Sequence, residues 1–305
     1  MYELIIIGGG PAGVSAGVYA ARKKIKELVI ADSFGGRSVI SDNIENWIGT
    51  QSISGLELAQ KMEQHLRAQE EIEISEDKVS EIVKIDDGFL IKTDAGKEHQ
   101  TKTVLVCTGG KHRHLNVPGE EKFIGKGVAF CSTCDAPFFK NKDVAVVGAG
   151  NAGLEAVMDL MPYATKIYLI VRGDKIKGDA LTREKVINYD KVQVIYNTET
   201  TEIMGDIFVS GLKYLDTISR EIKEIAVQGV FVTIGATPNS DIVRGLVDLN
   251  EYGEIIIDYG TGQTSLKGIW AAGDVTDSFY KQNNIAAGDA ARAVLDIYTF
   301  LYKGK

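Results

Sequence analysis

The stretch Leu4-Ile5-Ile6-Ile7-Gly8-Gly9-Gly10-Pro11-Ala12-Gly13 decides how this chain is built. Four apolar residues in a row, stopped by glycine, suit a central parallel strand buried on both faces. Gly8, Gly10 and Gly13 then take separate tasks at a strand-to-helix turn. One makes the tight turn, one lets backbone approach a pyrophosphate, and one lets helix pack on strand. The helix read from Ala12 to Ala21 turns free N–H groups and a positive dipole end toward the phosphates. The next strand, Leu28 to Ala31, ends at Asp32, an acid about twenty residues on, as expected for a partner of the ribose hydroxyl.

The same device returns at Gly148-Ala149-Gly150-Asn151-Ala152-Gly153. Val144 to Val147 precedes it as a strand, Leu154 to Met161 continues it as a helix, and Lys166 to Val171 is the following strand. Each unit later runs into a strand ending in glycine, Val106-Cys107-Thr108-Gly109 and Thr233-Ile234-Gly235. The expected fold class is therefore α/β, with two Rossmann-like (three-layer ββα) nucleotide-binding domains.

Between the two fingerprints, Gly55 to Glu70 reads as an amphipathic helix with Leu56, Leu58, Ala59, Met62 and Leu66 on one side. A meander follows, at Lys78 to Lys84, Phe89 to Thr93 and Thr103 to Cys107, with turns at Asp86-Asp87-Gly88 and Asp94-Ala95-Gly96. The polar segment from Lys111 to Glu120, with Pro118-Gly119, marks a boundary. Beyond the second fingerprint, strands are expected at Val192 to Tyr196, Ile207 to Leu215 and Gly229 to Ile234. A second boundary lies near Asp241 to Val247. Strands at Glu254 to Ile257 and Gly268 to Ala272, then a helix from Ile285 to about Tyr302, would complete the first domain. The second domain is thus read as inserted into the first: residues 1–114 and 245–305 form one, residues 115–244 the other.

Composition fits a globular protein, with 44% hydrophobic and 25% charged residues over 305 positions. A formal net charge of −8 and the lack of any basic run argue against nucleic acid as a partner. No secretory signal pattern and no membrane-length apolar run is read, so the expected location is the cytoplasm. Three cysteines cannot build a disulfide scaffold. In a reducing compartment, Cys131-Ser132-Thr133-Cys134-Asp135 is catalytic or metal-binding rather than structural. Zinc would need two more ligands, and only His112 and His114 offer themselves, so no metal is expected. Cys107 follows Val104-Leu105-Val106 and reads as inert core. His65 and His99 read as solvent-facing, and Tyr2, Tyr298, Phe300 and Tyr302 as core or dimer contacts.

Taken together, Gly8 to Gly13, Gly35-Gly36-Arg37, Glu45-Asn46-Trp47, Cys131 to Asp135, Gly148 to Gly153, Ile234 to Asn239, Ala271-Ala272-Gly273-Asp274 and Tyr280-Lys281-Gln282 resemble the low-molecular-weight thioredoxin reductase family. They are also similar to the reductase part of the alkyl hydroperoxide reductase flavoprotein. The Tyr-Lys-Gln triplet and Gly253-Glu254-Ile255-Ile256-Ile257-Asp258 look closer to the latter, whose additional N-terminal thioredoxin-like domains are not expected here. The resemblance implies a homodimer with FAD in the first domain. Gly8, Gly10, Pro11, Ala12 and Gly13 would cradle its pyrophosphate and Asp32 its adenine ribose. Gly36, Arg37, Asn46, Val79, Thr108 and Gly109 would lie along it, Gly273 and Asp274 would hold its ribityl-phosphate end, and Lys281, Gln282 and Asn283 would approach the isoalloxazine ring. Arg37 stands where the family usually has glutamine, and Asn283 where it has an apolar residue. Either change can tune the flavin.

By the same resemblance Cys134 takes electrons from the flavin, Cys131 attacks the disulfide of a thioredoxin- or glutaredoxin-like protein, and Asp135 is the general acid for the departing thiolate. Ala136 stands where the family prefers glycine. Gly148, Gly150, Asn151, Ala152 and Gly153 would hold the nicotinamide dinucleotide. The family's NADPH pattern after the next strand is histidine, two arginines, then another arginine. Here Arg172 keeps one element and Lys177 replaces the last, while Val171 and Gly173 lose the others. With two cations and no aligned acid, NADPH is favoured over NADH. Two other readings stay open: a disulfide reductase fed by ferredoxin or another donor, and a flavin-bearing redox sensor.

Overall fold

The computed structural model describes residues 1–41 and 43–303. The chain divides into two compact units, Met1–Lys111 with Thr237–Lys305, and His112–Ala236. The boundaries anticipated at 114 and 244 lie three and eight residues beyond the observed ones at 111 and 236. Residues 237–244 fall in the first unit because Asn239 donates to the Thr108 carbonyl at 2.8 Å and Val243 is fully buried in that unit's core.

In chain order the first unit begins with β1 (Tyr2–Gly9), α1 (Pro11–Arg22), β2 (Glu27–Phe34) and α2 (Gly55–Arg67). It continues with β3 (Glu73–Glu76), β4 (Val79–Ile85), β5 (Gly88–Thr93) and β6 (Glu98–Val106). The sheet order is β3-β2-β1-β6-β5-β4. Strand β6 serves two layers. Its first half pairs antiparallel with β5, and its second half pairs parallel with β1. Side-chain alternation in β1 then sorts the core. Leu4 and Ile6 pack with the helices, whereas Ile5 and Ile7 pack with Ile82 and Ile91 of the meander. Each such buried aliphatic side chain is worth roughly 1.5–3 kcal/mol.

The strand β7 (Gly110–His112) carries the chain across to the second unit. There follow β8 (Val128–Ala129), the one-turn helix α3 (Ser132–Asp135), β9 (Asp143–Val147), α4 (Asn151–Leu160), β10 (Lys166–Ile170), α5 (Ala180–Ile187) and β11 (Val192–Ile195). An antiparallel sheet of β12 (Thr198–Gly205), β13 (Val209–Asp216) and β14 (Ile222–Ala226) comes next, then β15 (Gly229–Val232). The parallel sheet has the order β11-β10-β9-β15-β8. Val144 and Val146 face α4, while Ala145 and Val147 face Leu212 and Tyr214 of β13. Strand β16 (Ala236–Pro238) pairs with β7 as the chain returns, and β17 (Ile269–Ala271) and α6 (Asn283–Lys303) complete the first unit. Both units have the three-layer ββα arrangement expected of doubled Rossmann-like units.

Some elements differ from the sequence reading. Leu56 is exposed rather than on the buried side of α2, because it lies one position off the stripe of Leu58, Ala59, Met62 and Leu66. Glu254 to Ile257 forms no strand, because Ile255 makes only isolated bridges with Leu249 and Thr276. Strand β12 went unread, since its polar residues carry no clean alternation. His99 is half-buried rather than solvent-facing, set edge-on to Tyr2 with ring centroids 6.2 Å apart.

Candidate functional site

The glycine-rich turn after β1 has the shape its sequence implies. Gly8 has φ of +121°, and a Cβ on Gly13 would stand 1.8 Å from the Gly8 carbonyl oxygen. Only glycine permits that strand-to-helix approach. Helix α1 has Gly10 as its N-cap, with no side-chain cap and no acid in its first turn. Its first N–H groups are therefore left for an anion. A Cβ on Gly10 would meet nothing nearer than the Gly36 Cα at 3.9 Å, so the two backbones face each other across a gap without side chains. Asp32 lies exposed on β2, with Ser33 Oγ donating to its Oδ1 at 3.3 Å. These features fit a bound dinucleotide.

Around this cradle, residues 37, 38 and 46 are tied to residues 274 and 282–284. Arg37 forms an ion pair with Asp274. Ser38 Oγ donates to Asn283 Oδ1 at 3.0 Å, Asn46 Nδ2 donates to Gln282 Oε1 at 3.3 Å, and Asn284 Nδ2 donates to the Asn46 carbonyl at 2.6 Å. The two departures expected along the flavin thus have local partners: Arg37 has Asp274, and Asn283 has Ser38. Lys281 donates to the Thr276 carbonyl and pairs with Glu254 at 3.1 Å. Thr108 Oγ1 donates to the Asn239 carbonyl at 2.7 Å, and the Asn239 N–H donates to the Gly109 carbonyl at 2.9 Å. Val79 is buried at the start of β4. Gly273 has φ of +76°, and a Cβ there would sit 3.2 Å from the Cβ atoms of Ala12 and Ala286, wedged between α1 and α6. Glu254, Asn284 and Asp289 were not among the candidate site residues read from the sequence. Burial raises the Asp289 carboxyl above its ordinary range against the opposing pull of Arg292, its ion-pair partner at 2.9 Å.

In the second unit Cys131 and Cys134 form a disulfide across α3, with their Cα atoms 5.3 Å apart. Cys131 is the N-cap of that turn, and its Sγ accepts from the Cys134 N–H at 3.2 Å. Both cysteines and Asp135 are half-buried. Ala136 is buried in the core of this unit. Phe130, just before the pair, stacks on His112 with ring centroids 4.7 Å apart and meets His114 edge-on at 5.3 Å. Among the described residues no group of three or more His, Cys, Asp or Glu is placed to hold a metal. Burial pushes the Cys107 thiol well above its ordinary range, so it stays protonated and unreactive.

The second glycine turn repeats the first. Gly148 has φ of +121°, and a Cβ on Gly153 would stand 1.9 Å from the Gly148 carbonyl oxygen. Gly150 is the N-cap of α4 without a side-chain cap, and a Cβ there would meet nothing within 4 Å. Asn151 and Ala152 open the helix, both exposed. The loop after β10 is tied to this turn: Lys177 N–H donates to the Ala149 carbonyl at 2.9 Å, and Asp179 N–H to Asn151 Oδ1 at 2.8 Å. Asp179 also caps α5, and the Thr182 N–H and hydroxyl hold its carboxyl below the usual range. Arg172 is largely exposed and pairs with Glu199 of β12 at 3.4 Å, an acid the sequence did not bring into view. Val171 is buried.

A family model for pyridine nucleotide-disulphide oxidoreductases matches residues 2–293. The chain belongs to that family. Membership implies FAD and a pyridine nucleotide as cofactors, and the two uncapped helix N-termini, one per unit, fit two dinucleotides. An NADH dehydrogenase of Bacillus subtilis is 39% identical over 302 residues, covering 99% of this chain and 59% of that protein. An alkyl hydroperoxide reductase component of Pseudomonas putida is 40% identical over 305 residues, covering 99% and 58%. The chain thus spans under three fifths of the length of these curated relatives. Among solved structures, a thioredoxin reductase from Streptococcus pyogenes matches with a TM-score of 0.93, 34% identity and 99% of both chains covered. One from Giardia duodenalis matches with 0.93, 29% identity and 98% of both. The fold is that of thioredoxin reductases. Among the described residues no helix is long and apolar enough to cross a membrane.

Proposed function

We propose that the chain moves two electrons from NADPH through FAD to the Cys131–Cys134 disulfide, and from there to a thioredoxin- or glutaredoxin-like protein. The observation that carries this reading is the half-buried disulfide in the unit that opens the second glycine fingerprint. FAD, when bound, supplies a two-electron acceptor and donor between nicotinamide and sulfur. The residues of the chain bind and orient around it. Gly10, Gly36 and the N-terminus of α1 take its pyrophosphate, Asp32 takes a ribose hydroxyl, and Asp274 and Lys281 face its far end. The second uncapped helix takes the nicotinamide dinucleotide. Cys134 receives the electrons, Cys131 attacks the partner's disulfide, and Asp135 protonates the thiolate that leaves.

NADPH is favoured by the cations Arg172 and Lys177. The ion pair between Arg172 and Glu199 favours a second reading, in which NADPH binds weakly and NADH, ferredoxin or another donor feeds the flavin. The relatives carry both kinds of name, thioredoxin reductase and NADH dehydrogenase. Stopped-flow bleaching of the flavin-loaded protein with NADPH, NADH and reduced ferredoxin in turn separates these. Fast bleaching by NADPH followed by reduction of an added thioredoxin supports the first reading. Bleaching by none of the three donors removes it.

A further inference from the structure

Both residues between the cysteines are tethered to one side chain. Ser132 Oγ donates to Asp159 Oδ2 at 2.8 Å, and Thr133 Oγ1 donates to the same oxygen at 3.1 Å. Asp159 lies in the last turn of α4, the helix whose N-terminus opens the second fingerprint, and is half-buried. We propose that Asp159 is a positioning residue for the redox pair, which holds the turn between the thiols and makes them a stronger reductant.

Two physical effects follow from one carboxylate. The first is geometric. Reduction cuts the sulfur–sulfur bond that closes the ring over Cys131 and Cys134, and the turn then depends on its other bonds. Two hydroxyls fixed to one charged acceptor keep Ser132 and Thr133 in place, because hydrogen bonds to a charged partner are the stronger kind. The second is electrostatic. A carboxylate hydrogen-bonded to both residues between two thiols disfavours thiolate, as a nearby like charge does. A CxxC pair whose thiolate is favoured is an oxidant, and one whose thiolate is disfavoured is a reductant. Atoms and electrons balance: the disulfide takes up two electrons from a dihydroflavin and two protons, giving two thiols. Cys131 then displaces one sulfur of the partner's disulfide, and Cys134 attacks the resulting mixed disulfide, which returns both electrons to the partner. The inference rests on the reading above, in which this pair cycles.

The test uses the full flavin-loaded chain equilibrated in glutathione buffers, quenched with an alkylating agent and weighed by mass spectrometry. Buried Cys107 serves as the unlabelled internal reference. Asp159→Asn keeps an acceptor and removes the charge, so its equilibrium should shift about tenfold toward dithiol, a rise of about 30 mV in midpoint. Its rate of exchange with a small disulfide should not fall below that of the parent, since the tether remains and thiolate is favoured. Ser132→Ala with Thr133→Val keeps the charge and removes the tether, so exchange should slow about tenfold with less movement in midpoint. Asp159→Ala should do both, and adding the two neighbouring changes to it should slow exchange no further. A midpoint in Asp159→Asn equal to that of the parent overturns the electrostatic half of the proposal, and additive rate losses overturn the tether. A parent protein whose reduced flavin leaves the Cys131–Cys134 bond intact overturns the underlying reading, and the proposal with it.

Discussion

Glu27 opens β2 as a buried carboxyl whose Oε2 has no hydrogen-bond partner among the described residues. Burial pushes its pKa up from 4.5 to about 9. Below the lower value it is protonated folded or unfolded, and pH has no leverage. Between the two values the unfolded chain gives up a proton that the folded chain keeps, so stability falls as pH rises, by up to about 1.4 kcal/mol per unit. Glu27→Gln should therefore melt with the parent at pH 4 and above it at pH 8. Equal melting temperatures at both would refute the buried proton. At Arg172 the relevant neighbour is Glu199. An exposed ion pair is worth at most about 1 kcal/mol, so Glu199→Gln should lower the apparent Kd for NADPH by no more than about fivefold and leave that for NADH unchanged. This neighbour was not legible in the sequence, because β12 carries no strand pattern and reaches the loop only through the fold. Asp159 was hidden for a related reason: a lone acid late in a helix reads as a solvated position until a turn is packed against it. Arg37 and Asn283, by contrast, stood out as departures from a pattern, and the fold supplies their partners.

At the level of elements, the two strand–turn–helix units were legible because three glycines at fixed spacing leave almost no other geometry. The close approaches at Gly13 and Gly153 repeat to within a tenth of an ångström. The two glycines of the second turn should nonetheless fail differently. Gly153→Ala drives a methyl into the Gly148 carbonyl, and α4 must shift at a cost of about 1–3 kcal/mol. Gly150→Ala meets no protein atom, so its melting temperature should match the parent's, while its methyl enters the space where pyrophosphate approaches. Paired melting curves and nucleotide titrations check this: a stable Gly150→Ala protein with undiminished nucleotide binding would remove the second cradle. The strands near residue 255 were misread, because a run of isoleucines signals burial and says little about pairing. Ile255 is fully buried, yet it finds only single bridges.

For the whole molecule, two nucleotide cradles and one disulfide form a single path for electrons under the proposed function. Cys134→Ser should leave flavin bleaching by NADPH intact and abolish reduction of a protein disulfide; turnover equal to the parent's would reassign the thiols. The motifs that the proposed path needs were legible in order, whereas the donor was not, since Arg172 and Lys177 satisfy neither nucleotide's full pattern. The most direct measurement mixes the flavin-loaded protein with NADPH in the absence of oxygen, quenches with an alkylating agent and maps the label. The expected result is label on Cys131 and Cys134 in the loaded protein and on neither in flavin-free protein. A bleached flavin beside an unlabelled, intact disulfide would contradict it.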